Sequence, residues 1–342
     1  MTRIGTDLTQ LGTLKGLAEM ALAFRRVCGL GRCMPDLSEF IAFLIAETRA
    51  LSAHPSQQSL KEEALQLHTL LRWADSGLPA FDLTHGLTAA LLLTDPSDVD
   101  GELVRLPFET FAIRLPDRFW LMHGHQGRET TASVAFVHSY TATTSKGPKS
   151  AMLSLRVVGR DGDTNVWESL VAIPTSGRIG EWLAEEVPMV DDPAGVVVPP
   201  DEHDKRLAVA MRRLTVNLSL YVTAHGRGEQ LGRRKSGRGG ASKQASEQAS
   251  ADIWIVGREV KLDRELVEAA RAWTDARSPR KQAREAWRLH ARFTVRGHWR
   301  LQAHGEGRAL RRLTWIAPYW KGEGPSFAHV YKSGKGEGEG ES

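Results

Sequence analysis

Cationic and apolar side chains alternate between residues 293 and 317, the part of the chain best suited to binding chemistry. Successive side chains of a β-strand point to opposite faces. The alternation therefore predicts two strands, at 293–302 and 311–317, that pair as a ribbon with one apolar, Trp-rich face and one polar face. The polar face is predicted to carry Arg296, His298, Arg300 and Arg312. A row of Arg and His side chains on one face of a ribbon can contact phosphates or base edges of a nucleic acid.

The predicted binding set extends beyond that face. An aromatic side chain at the end of the ribbon can stack on bases, and further basic residues lie in a low-complexity segment, 226–251. The predicted nucleic-acid-binding residues are Arg296, His298, Arg300, Arg311, Arg312, Trp320, Arg233, Arg234 and Lys235. The alternative is structural: the Trp side chains form core, and the Arg side chains pair with carboxylates of an acidic front half.

His298 is also a candidate for catalysis. A neutral His298 could act as a general base, with Arg296 or Arg300 stabilising charge on a phosphate. His123 and His125 are candidate metal ligands, but the glycines around them favour a turn, and supporting ligands are missing apart from Glu129. The chain has no Walker A, Gly-x-Ser-x-Gly or His-Glu-x-x-His motif. We therefore expect a binding protein rather than an enzyme, with no cofactor and no metal.

Charge is distributed unevenly along the chain. The net charge of +4 has three parts: residues 226–321 carry 22 Lys and Arg against 10 Asp and Glu, residues 1–225 carry an excess of six carboxylates, and residues 322–342 carry an excess of two. An acidic front joined to a basic back predicts a polyanionic partner for the back. A protein partner for the front remains open, and the sequence does not specify the oligomeric state.

Two segments resemble uncharacterised proteins of phages and integrated mobile elements. One is the C-terminal run with Val-Arg-Gly-His-Trp at 295–299, Trp-Ile-Ala-Pro-Tyr at 315–319 and Lys-Gly at 321–322. The other is the Leu-Pro-Phe strand entry at 106–111. The resemblance covers about a tenth of the chain. It implies a mobile-element origin and no particular mechanism.

The elements around these residues predict an α+β fold. It has an N-terminal helical segment, a central mostly antiparallel sheet with helices, and C-terminal helices plus the basic β-ribbon. Asp161-Gly162 between two β-rich runs predicts a hairpin. Apolar residues of 201–224 recur at spacings of 4, 3, 4 and 4, which predicts a long amphipathic helix.

Composition shifts divide the chain into five predicted parts. They are a helical region at 1–78, an α+β domain at 79–225, a flexible basic linker or loop at 226–251, a basic α/β segment at 252–322 that either folds alone or completes the central domain, and a disordered tail at 323–342. Low hydrophobicity in the linker and the tail leaves too little apolar surface to offset chain entropy.

Several classes of protein are excluded. The two cysteines, Cys28 and Cys33, cannot form a disulfide framework. The apolar runs are far too short to span a bilayer, so we expect a cytoplasmic protein without membrane contact. The leading hypothesis is a non-enzymatic nucleic-acid-associated protein, binding DNA or RNA. The alternatives are a protein–protein assembly module and a nuclease-like enzyme using His298.

Overall fold

A computed structural model describes ten parts of the chain. They are residues 68–117, 119–123, 129–144, 147–159, 167–172, 177–184, 202–225, 232–234, 252–274 and 293–321. Most of the predicted N-terminal helical region, including both cysteines, lies outside these residues. So do His125, Lys235, the rest of the predicted linker and the predicted tail.

The described residues form helices and strands in mixed order. The helices are α1 (residues 68–75), α2 (His85–Leu92), α3 (Ile179–Ala184), α4 (Glu202–His225) and α5 (Arg264–Thr274). The strands are β1 (Pro79–Leu83), β2 (Thr94–Asp95), β3 (Thr110–Arg114), β4 (Leu121–His123), β5 (Glu129–Thr144), β6 (Gly147–Gly159), β7 (Trp167–Ala172), β8 (Gly232–Arg234), β9 (Asp252–Val256), β10 (Phe293–Val295), β11 (Gly297–His304), β12 (Leu310–Ile316) and β13 (Tyr319–Lys321). The predicted α+β class is confirmed.

The largest sheet among the described residues has the strand order β7-β6-β5-β3-β1-β9-β8, with β4 added beside β5. Strand β1 pairs in parallel with β3 and β9, and the other neighbours pair antiparallel. The sheet is thus mostly antiparallel, as predicted. Its last two strands come from the C-terminal third of the chain, and β8 lies inside the segment predicted to be a flexible linker.

Local patterns located several of these elements. Strands β6 and β7 pair antiparallel from Val157↔Trp167 to Met152↔Ala172, which confirms the predicted pairing of these two strands, while Asp161-Gly162 itself lies outside the described residues. Helix α4 lies within one residue of its predicted ends. Strand β1 was not predicted, because its five residues are almost all buried and begin with Pro79, so they show no alternation.

Helices cover both faces of the sheet. Phe81 and Ile113 share one face and belong to the hydrophobic cluster that also contains Leu214 of α4. Phe136 lies on the opposite face, where Trp73 of α1 packs edge-to-face on its ring at 5.2 Å. No helix within the described ranges is both long enough and apolar enough to cross a bilayer.

A second sheet carries the predicted ribbon. Strand β11 pairs antiparallel with β12, from His298↔Ile316 to His304↔Leu310, and in parallel with β2. Strands β10 and β13 pair beside it. Because β2 follows α2 directly, the ribbon is joined to the helical layer that covers the main sheet.

Gly297 permits the contact between β11 and β2. A Cβ at this position would lie 2.3 Å from Thr94 Oγ1, 3.0 Å from Pro318 Cδ and 3.1 Å from the carbonyl oxygen of Ile316. Real Cβ atoms essentially never approach another heavy atom as closely as the first of these distances. The base of the ribbon therefore requires a residue without a side chain.

We predict that Gly297→Ala lowers the free energy of unfolding by about 1–3 kcal/mol, since the new methyl group must displace the ribbon from β2. Urea unfolding measures the change. Gly307→Ala is the comparison: its surroundings are open and only a φ of +60° opposes the substitution, which costs about 1 kcal/mol. Wild-type stability of Gly297→Ala would contradict the close contact.

Candidate nucleic-acid interface

A buried amide on α4 holds the base of the ribbon. Asn217 is fully buried, although it lies on a helix whose buried neighbours are mostly apolar. Its Nδ2 donates to the carbonyl oxygens of Leu91, at 2.8 Å, and Thr94, at 3.2 Å. Its Oδ1 accepts a hydrogen bond of 2.8 Å from Nε1 of Trp299. One side chain thus joins the end of α2, strand β2 and the ribbon.

A second indole of the ribbon is bound in the same way. Thr94 is buried, and its hydroxyl donates to the carbonyl oxygen of Ala90 at 2.7 Å. The same oxygen accepts a hydrogen bond of 3.0 Å from Nε1 of Trp315. Both Trp side chains of the apolar face therefore have satisfied N–H groups, as burial of an indole requires.

Aromatic packing fixes the orientation of these indoles. Trp299 and Trp315 face each other across the two strands, with ring centroids 6.3 Å apart. Trp315 also packs edge-to-face on Tyr221 of α4 at 5.3 Å. Burial raises the pKa of Tyr221, and its hydrogen bond to Glu259 and the charge of that carboxylate raise it further. Tyr221 therefore stays protonated and continues to donate to Glu259.

The opposite face of the ribbon is mostly polar, and much of it is open to solvent. His298, Arg300, Gln302 and Arg312 are all exposed, and the register places Arg300 opposite Thr314 and Gln302 opposite Arg312. A 3.4 Å hydrogen bond joins Arg300 Nη2 to Gln302 Oε1. We call these four exposed residues the basic ribbon face. Strands β11 and β12 contain no Asp or Glu.

Two predicted binding residues lie off this face. Arg311 pairs with Ala303, on the same side as the Trp residues, and its Nη1 donates to the carbonyl oxygens of Arg308 and Leu310. Arg296 precedes β11 and is exposed at the base of the ribbon. The structure thus groups Arg300, Arg312 and His298 but places Arg296 and Arg311 around them.

Arg296 acts electrostatically on Asp95 of β2. Partial burial raises the pKa of Asp95, but hydrogen bonds from the hydroxyl and backbone N–H of Ser97 and the charges of Arg213 and Arg296 outweigh it, so the net pKa is below its usual value. Asp95 is therefore a carboxylate at neutral pH, and its charge favours the position of Arg296 beside it.

The far end of the ribbon exposes apolar side chains that sequence reasoning missed. Leu301 is 54% exposed and Leu310 is 58% exposed. The alternation of side chains along the strand predicts that Leu301 lies on the same face as Trp299, and the pairing of β11 with β12 confirms this. The side chain is nevertheless exposed, whereas Trp299 at the base is 6% exposed.

The other predicted residues do not join this group in the structure. Trp320 is half-buried in β13, while its neighbour Tyr319 is exposed. Arg233 and Arg234 belong to β8, at the edge of the main sheet. His123 belongs to β4, and no cluster of three or more His, Cys, Asp or Glu suited to a metal ion occurs within the described part of the chain.

We predict that Asn217→Ala lowers the free energy of unfolding by about 3 kcal/mol, because it removes three buried hydrogen bonds, to the carbonyl oxygens of Leu91 and Thr94 and from the indole N–H of Trp299. In a cycle with Trp299→Phe, urea unfolding should give a coupling energy of about 1 kcal/mol. Ser219→Ala is the control: Ser219 is buried on the same helix, but its hydroxyl donates only to the carbonyl oxygen of Thr215. Additive effects of Asn217→Ala and Trp299→Phe would contradict the link.

Comparison with known proteins identifies the family. The chain is similar to a solved structure described as the crystal structure of AcrVA2, with 13% sequence identity, a TM-score of 0.47, and coverage of 92% of this chain and 96% of that chain. No curated protein matches the chain. The family model AcrVA2-like, described as the anti-CRISPR type V subtype A2 family, matches residues 81–322.

The matched range begins in β1 and ends just after β13, so it includes α4 and the whole ribbon. Anti-CRISPR proteins are a class carried by phages and mobile elements, which confirms the predicted origin at that level. The likeness of the individual C-terminal motif stays a prediction. On the strength of a match over more than two thirds of its length, the chain belongs to the AcrVA2-like anti-CRISPR family.

Proposed function

We propose that this chain inhibits a type V CRISPR system by binding, and that its basic ribbon face contacts nucleic-acid phosphates. Family membership supports the inhibitory role. The nucleic-acid contact is supported by one observation: two Arg side chains, with His298 and Gln302, share an exposed face on strands that contain no carboxylate.

The anchoring of the ribbon strengthens this proposal. Trp299 and Trp315 fix the apolar face through hydrogen bonds to Asn217 and Thr94. The Arg side chains are thus carried by a backbone that is already ordered, so less conformational entropy is lost when the partner binds. Phosphate contacts of this kind release counterions and make the affinity depend strongly on salt.

A second candidate function is binding to a protein of the CRISPR system. The exposed side chains of Leu301 and Leu310 favour it, because the buried centre of a protein interface is more apolar than its rim and is enriched in Arg. In this case the basic ribbon face would complement an acidic protein surface, with little preference for nucleic acid.

We predict that Arg300→Ala/Arg312→Ala reduces the salt dependence of nucleic-acid binding, because each Arg brings one positive charge close to the phosphates and so releases condensed counterions. The slope of log affinity against log salt should become shallower by roughly 1.4 to 1.8. Fluorescence anisotropy with labelled DNA and RNA measures it. The control, Arg258→Ala/Arg264→Ala, removes the same charge from exposed positions outside the ribbon and should change the slope less. Equal slopes for the two variants would refute the assignment.

We predict that the wild-type chain restores plasmid transformation in cells whose type V CRISPR system targets that plasmid. Arg300→Ala/Arg312→Ala should lose this effect and Arg258→Ala/Arg264→Ala should keep it. If Leu301→Ser abolishes inhibition while Arg300→Ala/Arg312→Ala does not, the protein partner is favoured instead. If the wild-type chain restores nothing, the inhibitory role is refuted for the system tested.

A further inference from the structure

We infer that the basic ribbon face binds in the major groove of B-form duplex DNA, and that Arg300, Gln302 and Arg312 contact base edges there. This inference rests on the proposed function and deepens it: the charges of Arg300 and Arg312 neutralise the phosphates that flank the groove, while their guanidinium groups and the amide of Gln302 reach base edges within it. It depends on the shape of the ribbon, on the side chains that its exposed face carries and on its stiffness.

The width of the ribbon fits the major groove of B-form DNA. Two antiparallel strands lie about 4.8 Å apart, and a major groove about 12 Å wide admits a two-stranded ribbon. The far end, from Gln302 through the connection to Leu310, is exposed except for the half-buried Ala303. The major groove of A-form RNA is too narrow and deep for side chains to reach the bases.

The side chains of this face match base edges. An Arg guanidinium can bond N7 and O6 of guanine, and a Gln amide can bond N7 and N6 of adenine. Arg312 lies directly opposite Gln302, and Arg300 lies two residues from Gln302 on the same strand. Leu310, on the same face by register, is an apolar group of the kind that contacts a thymine methyl.

The basic ribbon face has no Phe, Tyr or Trp side chain on which the bases of a single strand could stack. Proteins that bind single strands use aromatic side chains as stacking platforms. No Phe, Tyr or Trp lies on the polar side of β11 and β12, because Trp299 and Trp315 both occupy the opposite side. A duplex, which presents its bases as edges, is therefore the better partner.

The connection between the strands is held in a compact conformation. Gly305 and Gly307 have φ values of +78° and +60° and flank Glu306, which begins a short 3-10 turn ending at Arg308. Arg311 Nη1 donates to the carbonyl oxygen of Arg308 at 2.8 Å and so braces this turn. Glu306 is the one carboxylate of the ribbon and could accept from the amino group of cytosine.

Fluorescence anisotropy with four probes tests the inference. The probes are a DNA duplex of roughly two helical turns, an RNA duplex of matching sequence, and the single strands of each, between about 50 mM and about 200 mM salt. We expect the DNA duplex to bind roughly tenfold or more tightly than the others. The major-groove ligand methyl green should displace the protein, and the minor-groove ligand netropsin should not.

Variants of the ribbon separate groove binding from general attraction. Arg300→Ala/Arg312→Ala and Gln302→Ala should each weaken binding to the DNA duplex, the former by roughly tenfold or more. Arg258→Ala/Arg264→Ala should weaken it less. All the substituted residues are exposed, so thermal unfolding should match that of the wild type and exclude misfolding as the cause.

The possible failures are distinguishable. Equal or tighter binding to RNA or to a single strand refutes the groove inference and leaves the proposed phosphate contact intact. Displacement of the protein by netropsin and not by methyl green refutes it in the same way. Absence of binding to all four probes at about 50 mM salt refutes both the inference and the nucleic-acid part of the proposed function.

Discussion

The amide of Asn217 is the interaction on which the arrangement of the C-terminal strands depends. It lies in an apolar environment, where each buried polar group left without a partner costs about 1–3 kcal/mol. Its two donors bond carbonyl oxygens at the end of α2 and in β2, and its acceptor bonds the indole of Trp299. Hydrogen bonds are directional, so the ribbon can pack on the helical layer in one register only. Apolar contacts alone would allow the ribbon to shift along that layer.

The chemistry of the ribbon follows from this anchoring. A two-stranded ribbon is marginally stable by itself in water, so the exposed Arg residues can be displayed only if the other face is buried. Trp299 and Trp315 supply the apolar area, and Asn217 and Thr94 satisfy their N–H groups. Within the segment Val295 to Trp299, Gly297 and Trp299 therefore support the structure, and His298 lies on the exposed face.

Sequence patterns predicted the elements whose period is regular. The spacing of apolar residues located α4, the alternation of Arg with Trp predicted the two faces of the ribbon, and Asp161-Gly162 predicted the pairing of β6 with β7. Strands β1 and β2 escaped prediction because one is buried without alternation and the other has two residues. Propensity over so short a length carries little information.

Long-range partners could not be predicted from local patterns. Alternation gives the face of Leu301 but not whether anything covers it. Asn217 and Trp299 are 82 residues apart along the chain. The one available signal was an Asn between Leu214 and Leu218, inside the apolar set of a long helix, since a buried amide requires partners.

The joining of distant strands has a consequence for biosynthesis. Thr94 bonds Trp315, which follows it by 221 residues, and β1 lies between β3 and β9, so neither sheet is complete until the C-terminal third has left the ribosome. At bacterial rates of synthesis that delay is on the order of tens of seconds. During that time the edge of β1 that later pairs with β9 has no neighbouring strand. An unpaired strand edge can pair with a strand of another molecule. Topologies dominated by such distant pairings also fold slowly. Nascent chains of this protein therefore expose an unpaired strand edge for longer than chains whose sheets grow in sequence order.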